Sequence, residues 1–339
     1  MRSSTSSSDG RTWLVTWGLT LLLVIGCVSA WETFWRERGF SPSVRDDHSL
    51  WVAARRELRP HDPDEVVLVG SSRTQVDINP DALIATTGWR KPIQLAVTMG
   101  STMPMLRHLA RDSSFAGIVV AEINPAIFFA ALRILDPITG RLLERFHTLT
   151  TADLVEFRLS MFVQQQLILR LPALSPRELL RAIARGEWPH PQHYTVDRTR
   201  YRFMDFELRR GLAARNRFAT ANRARSKATF LRPQALVKRL DEIEALVETI
   251  EARGGEVIFV RFPSNAHVLE DERKVVPRDR YWDVFVAHTD ALAIHFEDYP
   301  ELASFTAPDG EHLDRRDAIT FSSQLGKIIM RERANRRND

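Results

Sequence analysis

Short apolar runs bounded by turn residues recur along the chain, and amphipathic stretches separate them. The runs are EVVLVG, KPIQLAVT, GIVVAEI and EVIFVRFP, with ALAIHFEDY as a candidate fifth. The stretch TMPMLRHLARDSSF has helical periodicity, and RPQALVKRLDEIEALVETIEARGG is a strongly amphipathic helix that ends at a Gly-Gly pair. Uninterrupted apolar runs are typical of parallel strands buried on both faces. The pattern predicts an α/β fold, a parallel sheet with helices on both faces.

The longest apolar run lies near the N-terminus. Arg11 and Glu32 bracket twenty uncharged residues, about the length of helix that crosses a bilayer core. Tryptophans lie toward both ends of the run, as interfacial anchors do: Trp13, Trp17, Trp31 and Trp35. We therefore predict a disordered tail over residues 1–11 and a single transmembrane anchor over residues 12–31. The sequence VIGC also resembles a bacterial lipobox, which leaves a lipidated Cys27 as the alternative.

Beyond the anchor, residues 32–65 are predicted to form a helical stem, and residues 66–339 an α/β domain. A helical insertion, residues 142–232 approximately, interrupts the strand–helix rhythm and contains a Pro/His-rich loop. Between Arg198 and Arg232 there are eleven Lys or Arg residues against two acidic residues. Such a run is ordinarily a solvated face. The more specific hypothesis is that the segment forms a surface that binds anionic lipid or an anionic polymer.

Charge and composition narrow the functional classes. The chain carries a net charge of +4 with a pI near 9.5, which suits an anionic neighbour. The charges beside the apolar run favour a cytoplasmic N-terminus in the inner membrane, with the globular part on the extracytoplasmic (periplasmic) side. No nucleic-acid recognition motif is present, so nucleic acid is not expected as a partner. One cysteine excludes an internal disulfide framework.

Two regions carry candidate chemistry. Ser71 and Ser72 follow the first predicted strand, at the sheet edge where open α/β folds bind ligands. Near the C-terminus, Asp309 and His312 lie three residues apart in a Pro/Gly loop that precedes a helix. A serine hydroxyl is a weak nucleophile unless a base, held in the right tautomer, removes its proton. The spacing predicts that one short turn supplies both the base and its orienting carboxylate.

The other histidines have weaker cases. His190 and His193 lie in the Pro-rich loop, where surface histidine is usual, and His295 falls inside a predicted strand. His267 follows a strand-end proline and is a candidate for the edge of a pocket. None of the ten histidines shows the spacing of metal ligands, so neither a metal nor another cofactor is expected.

VVLVGSSR at the end of the first strand, together with DGEHLDRRDA, resembles the motifs of the SGNH/GDSL hydrolase superfamily. The similarity is closest to membrane-anchored extracytoplasmic members, such as the alginate O-acetylation proteins and the teichoic-acid D-alanyl transfer protein. It covers residues 66–130 and 256–325 and leaves out the basic middle segment. The resemblance implies the three-layer, flavodoxin-like SGNH sheet. It also implies that Ser72 is the nucleophile, with Ser71 in place of the usual Asp, and that Asp309 and His312 complete the triad.

The same resemblance implies the oxyanion hole. Gly100 matches the second-block glycine, whose N–H helps to bind the oxyanion, and Asn124 stands for the third-block asparagine. The third block departs from the usual pattern, because its preceding Gly is missing and Pro125 follows. An oxyanion-hole donor contributes about 2.7–4 kcal/mol to catalysis, so the loss of one would slow the reaction without abolishing it.

These residues predict a serine esterase or acyltransferase that forms an acyl-serine intermediate. The anchor and the basic insertion favour acyl groups, acetyl above all, on a cell-envelope polysaccharide. A membrane-bound O-acyltransferase partner is what the resemblance implies as the acyl supply. Hydrolysis and transfer stay open, since they differ in how well the site excludes water. The alternative is a non-catalytic scaffold with a degenerate SGNH fold that binds polysaccharide or the membrane partner.

Overall fold

The computed structural model describes residues 10–131, 136–207 and 229–338. Five parallel strands form its main sheet: β1 (Val66–Val69), β2 (Ile93–Gln94), β3 (Ile118–Glu122), β6 (Glu256–Arg261) and β7 (Leu292–His295). Their spatial order is β2-β1-β3-β6-β7, so the direction of winding reverses between β1 and β3. Open α/β sheets bind ligands at the carboxyl ends of the strands beside such a reversal. All five predicted apolar runs therefore contain a strand, and the first strand, β1, lies beside the reversal.

Alternate residues of the strands face two separate apolar cores, one on each side of the sheet. Val67 and Val69 of β1 belong to one core and Val66 and Leu68 to the other, because successive side chains of a strand point to opposite faces. The first core is covered by helices α2 (His48–Arg56), α5 (Thr102–Arg111), α10 (Pro233–Glu251) and α12 (Arg278–Val286). The second is covered by α4 (Pro80–Thr87), α13 (Pro300–Ala303) and α14 (Arg315–Asn338).

Shorter elements complete the chain. The remaining helices are α3 (Ser72–Asp77), α6 (Pro125–Phe128), α7 (Asp136–Thr148), α8 (Thr151–Gln166), α9 (Pro176–Ala184) and α11 (Ala266–Val275). Single turns of 3-10 helix lie at Ile168–Arg170, Pro172–Leu174 and Phe296–Asp298. An antiparallel hairpin joins β4 (Tyr194–Val196) to β5 (Arg202–Met204). The sequence interpretation had placed only a loop there.

Helix α1 (Gly10–Arg36) contains the predicted anchor and continues five residues past Trp31. Over Thr12–Arg36 it is long and apolar enough to cross a membrane, with a mean hydropathy of 2.0 and no buried part in its most apolar window. The predicted stem is not one helix. It consists of the end of α1, an irregular segment over residues 37–47, helix α2 and a turn-rich segment before β1.

The described chain divides into two compact units. The larger contains the sheet and comprises Val44–Met161 with residues 193–338, and the smaller comprises residues 10–43 with Phe162–Gln192. In the smaller unit, a local core of Trp35, Phe40 and the apolar residues of the 3-10 turns packs around the end of α1. Most of the predicted tail and much of the basic run, at residues 208–228, lie outside the described residues.

Candidate active site

The turn between β1 and α3 gives its two serines different positions. Ser71 is the N-cap residue of α3, and its hydroxyl accepts a hydrogen bond from the N–H of Arg73 at 3.4 Å. Ser72 is the first residue of the helix and is half-buried, and its hydroxyl takes no part in the cap. Gly70 precedes both, and a Cβ at this position would overlap the side chains of Thr74 and Glu122. The glycine therefore permits the close approach of this turn to β3.

The structure brings the three predicted triad residues into one hydrogen-bonded chain. The Ser72 Oγ lies 2.9 Å from His312 Nε2, and His312 Nδ1 lies 2.9 Å from Asp309 Oδ2. Both Asp309 and His312 are 2 % exposed. Because the carboxylate accepts a hydrogen bond from the Nδ1–H group, Nε2 of the neutral imidazole is left to accept a hydrogen bond from the serine hydroxyl. This arrangement suits a serine that gives its proton to histidine as it attacks a carbonyl.

The loop before α14 is built to hold the aspartate and the histidine in this relation. Asp309 Oδ1 accepts hydrogen bonds from the N–H groups of Glu311 (3.0 Å) and His312 (2.8 Å), so one carboxylate fixes both the backbone and the imidazole. Gly310 has φ +92°, a conformation that other residues adopt only with strain, and a Cβ there would press against Val268. The sequence Asp-Gly-x-His thus encodes this turn.

Asp309 and His312 each stabilise the charged form of the other. Burial alone would raise the pKa of Asp309, but His312 and the three hydrogen bonds outweigh it and hold that pKa below its ordinary value. Burial alone would lower the pKa of His312, but the Asp309 carboxylate outweighs it and raises that pKa. His312 is thereby a stronger base than a free imidazole, as the removal of a serine proton requires.

Glu122 is a site residue that the sequence analysis missed. It ends β3, is 1 % exposed, and accepts three hydrogen bonds from the turn that carries Ser72. The donors are the Ser71 N–H (2.6 Å), the Ser71 hydroxyl (2.8 Å) and the Thr74 hydroxyl (2.7 Å). A buried carboxylate is tolerated only when it is hydrogen-bonded in this way. Glu122 therefore fixes the turn that carries Ser72 against the neighbouring strand.

A buried ionic network lies beside the triad. Arg73, next to Ser72 in sequence, forms ion pairs with Glu311 at 3.0 Å and with Glu272 at 3.1 Å. Glu311 is the residue before His312, so the Arg73–Glu311 pair links the Ser72 turn to the His312 loop. Glu272 also pairs with Arg261 at the end of β6. Arg73 is 1 % exposed, and the surrounding carboxylates raise its pKa although burial opposes this.

Asp77, at the end of α3, makes a further buried contact with the histidine loop. Its Oδ1 accepts a hydrogen bond from the N–H of Leu313 at 2.9 Å. Its other oxygen has no hydrogen-bond partner within the described part of the chain. Burial raises the pKa of Asp77 to about 8. The short helix α3 thus carries Ser72 at its first residue and holds the His312 loop at its last.

Gly100 and Asn124, the two predicted oxyanion-hole residues, differ in whether their polar groups already have hydrogen-bond partners. The sheet order places the loops after β2 and β3, which carry Gly100 and Asn124, on either side of the Ser72 turn. The N–H of Gly100 already donates to the carbonyl of Val97 at 2.6 Å. The Asn124 side chain caps no helix, and its carbonyl oxygen is buried without a partner among the residues described. The N–H of Ser72 likewise has no acceptor in the described ranges.

No family model matches this chain, and no curated protein shows significant sequence similarity to it. The indications of its function are therefore those of the site geometry.

Within the described ranges, no three His, Cys, Asp or Glu side chains are grouped so that they could hold a metal ion.

The other histidines take no part in the hydrogen-bonded chain. His295 ends β7, as the sequence indicated, and is buried between Trp282 and Phe296. Burial, with Arg261 nearby, lowers its pKa to about 2, so it is a neutral core residue. His267 lies in α11, and its Nε2 is buried without a hydrogen-bond partner in the part of the chain described.

Proposed function

We propose that this chain is a membrane-anchored serine esterase or acyltransferase of the SGNH type, which works through an acyl-serine intermediate. One observation carries the proposal. The Ser72 hydroxyl lies within hydrogen-bond distance of a buried imidazole, whose other nitrogen is bonded to a buried carboxylate. Ser72 lies near the start of the domain sequence, and Asp309 and His312 lie near its end. A serine that only caps a helix and a histidine that only lies at the surface would not need to be in contact.

In the proposed reaction, Ser72 Oγ attacks an ester or thioester carbonyl, and His312 Nε2 takes the hydroxyl proton. Asp309 keeps the imidazole in the required tautomer and stabilises the imidazolium that forms. His312 then gives the proton to the leaving alcohol or thiol as the carbonyl–oxygen or carbonyl–sulfur bond breaks. Water, or a sugar hydroxyl, resolves the acyl-serine by the same steps in reverse order, with His312 again as the base.

We assign stabilisation of the tetrahedral oxyanion to the N–H of Ser72 and the amide of Asn124. The Ser72 N–H has no acceptor in the described chain, so binding an oxyanion would cost it no existing bond. Asn124 would have to donate from its side-chain NH2, because its buried carbonyl oxygen can only accept. Gly100 is the weaker candidate, because its N–H would first have to leave the carbonyl of Val97. Each such donor is worth about 2.7–4 kcal/mol in the transition state.

The proposed location is the inner membrane, with α1 as a single-pass anchor, the N-terminus in the cytoplasm and the catalytic unit in the periplasm. The proposed substrate is an acyl group, acetyl above all, on a cell-envelope polysaccharide. The apolar helix α1 and the arginine-rich composition support this setting, and the resemblance to SGNH acyltransferases supplies the substrate class. The same resemblance makes a membrane-bound O-acyltransferase the proposed partner.

The proposal is tested with the purified full chain, a serine-reactive fluorophosphonate probe and p-nitrophenyl acetate. Ser72→Ala should abolish both labelling and turnover, and His312→Ala should do nearly as much, because triad residues act as a unit. Asp309→Asn should be severe but leave more activity, since it mainly spoils the histidine tautomer. Ser71→Ala is the control for the identity of the nucleophile: it should keep labelling, at a reduced rate because it removes one of the three donors to Glu122.

Two results would contradict the proposal. Labelling that survives Ser72→Ala but not Ser71→Ala would move the nucleophile by one residue. A wild-type protein that is neither labelled nor active on any ester, with Ser72→Ala still complementing a deletion strain, would favour the non-catalytic scaffold.

A further inference from the structure

The smaller compact unit exposes large apolar side chains around the end of α1. They are Phe34, Phe162, Leu169, Leu180, Ile183 and Trp188. Leu180, Ile183 and Trp188 are 67 %, 73 % and 65 % exposed, values at which a core role is excluded. Large apolar side chains exposed in such number within one small unit indicate a surface that another apolar phase covers.

Contacts within this unit place the set at a defined level along α1. The Glu32 carboxylate accepts hydrogen bonds from the N–H groups of Ile168 (3.1 Å) and Leu169 (2.9 Å). Arg36 donates to the carbonyl of Gln166 at 2.7 Å. These bonds tie the turn before α9 to the first residues of α1 that follow its uncharged run.

Trp188, four residues beyond the end of α9, lies at the same level. Its ring centroid is 6.4 Å from that of Trp35 and 6.4 Å from that of Phe34. The Arg38 guanidinium covers the Phe34 ring at 3.4 Å and lies 5.9 Å from the Trp188 ring. Tryptophan and arginine at this position are typical of the boundary between lipid tails and headgroups.

Helix α9 is amphipathic, and part of its apolar surface is not packed within its own unit. Leu179 packs on the local core beside Trp35, whereas Leu180 and Ile183 project outward three residues apart. The arginines of this segment are exposed as well, at positions 170, 177, 181 and 185. An exposed apolar face flanked by arginines is the composition of a helix that lies in a membrane interface.

We propose that α9 and Trp188 lie on the surface of the bilayer that α1 crosses, with Leu180 and Ile183 inserted at the headgroup level. This inference rests on the proposed anchoring by α1. A lipid surface is favoured over a second copy or a partner protein, because Phe34, which is exposed on α1 itself, lies against the exposed Trp188 and so extends the apolar surface of α1 into this set. Arg181 pairs with Glu178 on the same helix, and the other flanking arginines, Arg170, Arg177 and Arg185, complement anionic headgroups. The anchor would then hold the smaller unit in one orientation on the membrane instead of acting as a tether alone.

The test is nitroxide labelling of the full chain in vesicles of phosphatidylethanolamine and phosphatidylglycerol, with oxygen and a water-soluble nickel chelate as collision probes. The native Cys27 lies in the apolar run and is exposed, so its label reports whether α1 is in the membrane. In a Cys27→Ser background, Ile183→Cys reports the proposed docking, and Leu180→Cys repeats the measurement on the same face. Ile319→Cys is the control, because Ile319 is 49 % exposed on α14 in the other unit.

Labels at positions 183 and 180 should collide with oxygen several-fold more, and with the nickel chelate several-fold less, than the label at position 319. A label at position 183 that matches position 319, while the Cys27 label is in lipid, would overturn the docking and leave the anchor intact. Protection of position 183 from both probes would mean that protein covers it, and would also overturn the docking. A Cys27 label exposed to the chelate would refute the anchor, and the docking with it.

Discussion

Removing the Glu122 carboxylate should loosen the turn that presents Ser72, at a distance from the reacting atoms. Glu122→Ala deletes the acceptor of three hydrogen bonds and leaves two hydroxyls and one N–H without it. Glu122→Gln keeps a carbonyl oxygen for the Ser71 N–H. The same oxygen still accepts from the Thr74 hydroxyl, and the Ser71 hydroxyl can rotate to accept from the new amide NH2, so the glutamine variant should be much milder.

The magnitude follows from the number of bonds. A hydrogen bond to a charged group contributes about 1.5–3 kcal/mol, so three of them would sum to about 4.5–9 kcal/mol if they were independent. They share one carboxylate, and their losses overlap, so we expect about 3–5 kcal/mol for Glu122→Ala and about 1–2 kcal/mol for Glu122→Gln. A displacement of the serine hydroxyl by about 1 Å costs on the order of 10²-fold in rate. We therefore expect about that loss for the alanine variant and about 10-fold for glutamine.

Urea unfolding of the detergent-solubilised full chain measures the stability, and the rate of fluorophosphonate labelling measures the presentation of Ser72. Glu256→Gln is the matched control, because that glutamate pairs with Arg333 at the surface of the sheet and should cost less than about 1 kcal/mol. Wild-type unfolding and wild-type labelling rates in both Glu122 variants would refute the role assigned to the carboxylate. A loss of stability without any loss of labelling rate would limit Glu122 to a structural role.

Three further outcomes are expected. Labelling of Ser72 should rise with pH through a midpoint above 6.5, because the Asp309 carboxylate outweighs burial and raises the pKa of His312, and only the neutral imidazole accepts the serine proton. The contribution of Asp77 to the free energy of unfolding should fall as pH rises from about 4 to about 8, since burial raises the pKa of Asp77 from 3.8 to about 8 and the unfolded chain releases that proton first. Asp77→Asn, compared with wild type by urea unfolding at several pH values, should flatten this dependence. Arg73→Met should cost about 3–5 kcal/mol, because it removes the guanidinium from two buried carboxylates, and adding Glu311→Gln should restore part of the loss in the same assay.

The apolar runs predicted the five strands because buried parallel strands carry a continuous signal that needs no knowledge of distant contacts. The short spacing of Asp309 and His312 predicted a local turn for the same reason. Glu122 gave a weaker signal, a single charged residue at the end of an otherwise apolar strand. A buried charge has to find donors, but those of Ser71 and Thr74 are some fifty residues away.

The ionic network was missed for a related reason. Arg73 looks in sequence like any helix-surface arginine, and its burial depends on Glu272 and Glu311, which are 199 and 238 residues away. The hairpin of β4 and β5 was hidden by proline and histidine residues in the preceding segment, which are typical of a loop. Three-residue strands are too short for alternation to show in the sequence.

The long separation of Ser72 from His312 also governs when the pair can form during biosynthesis. The two residues are 240 positions apart, so a ribosome adding about 5–20 residues per second delivers the histidine about 12–48 s after the serine. Until the C-terminal loop has emerged and α14 has closed over the sheet, the Ser72 hydroxyl has no imidazole beside it. If the proposed function is correct, a nascent or truncated chain that lacks the His312 loop would therefore be inert toward esters.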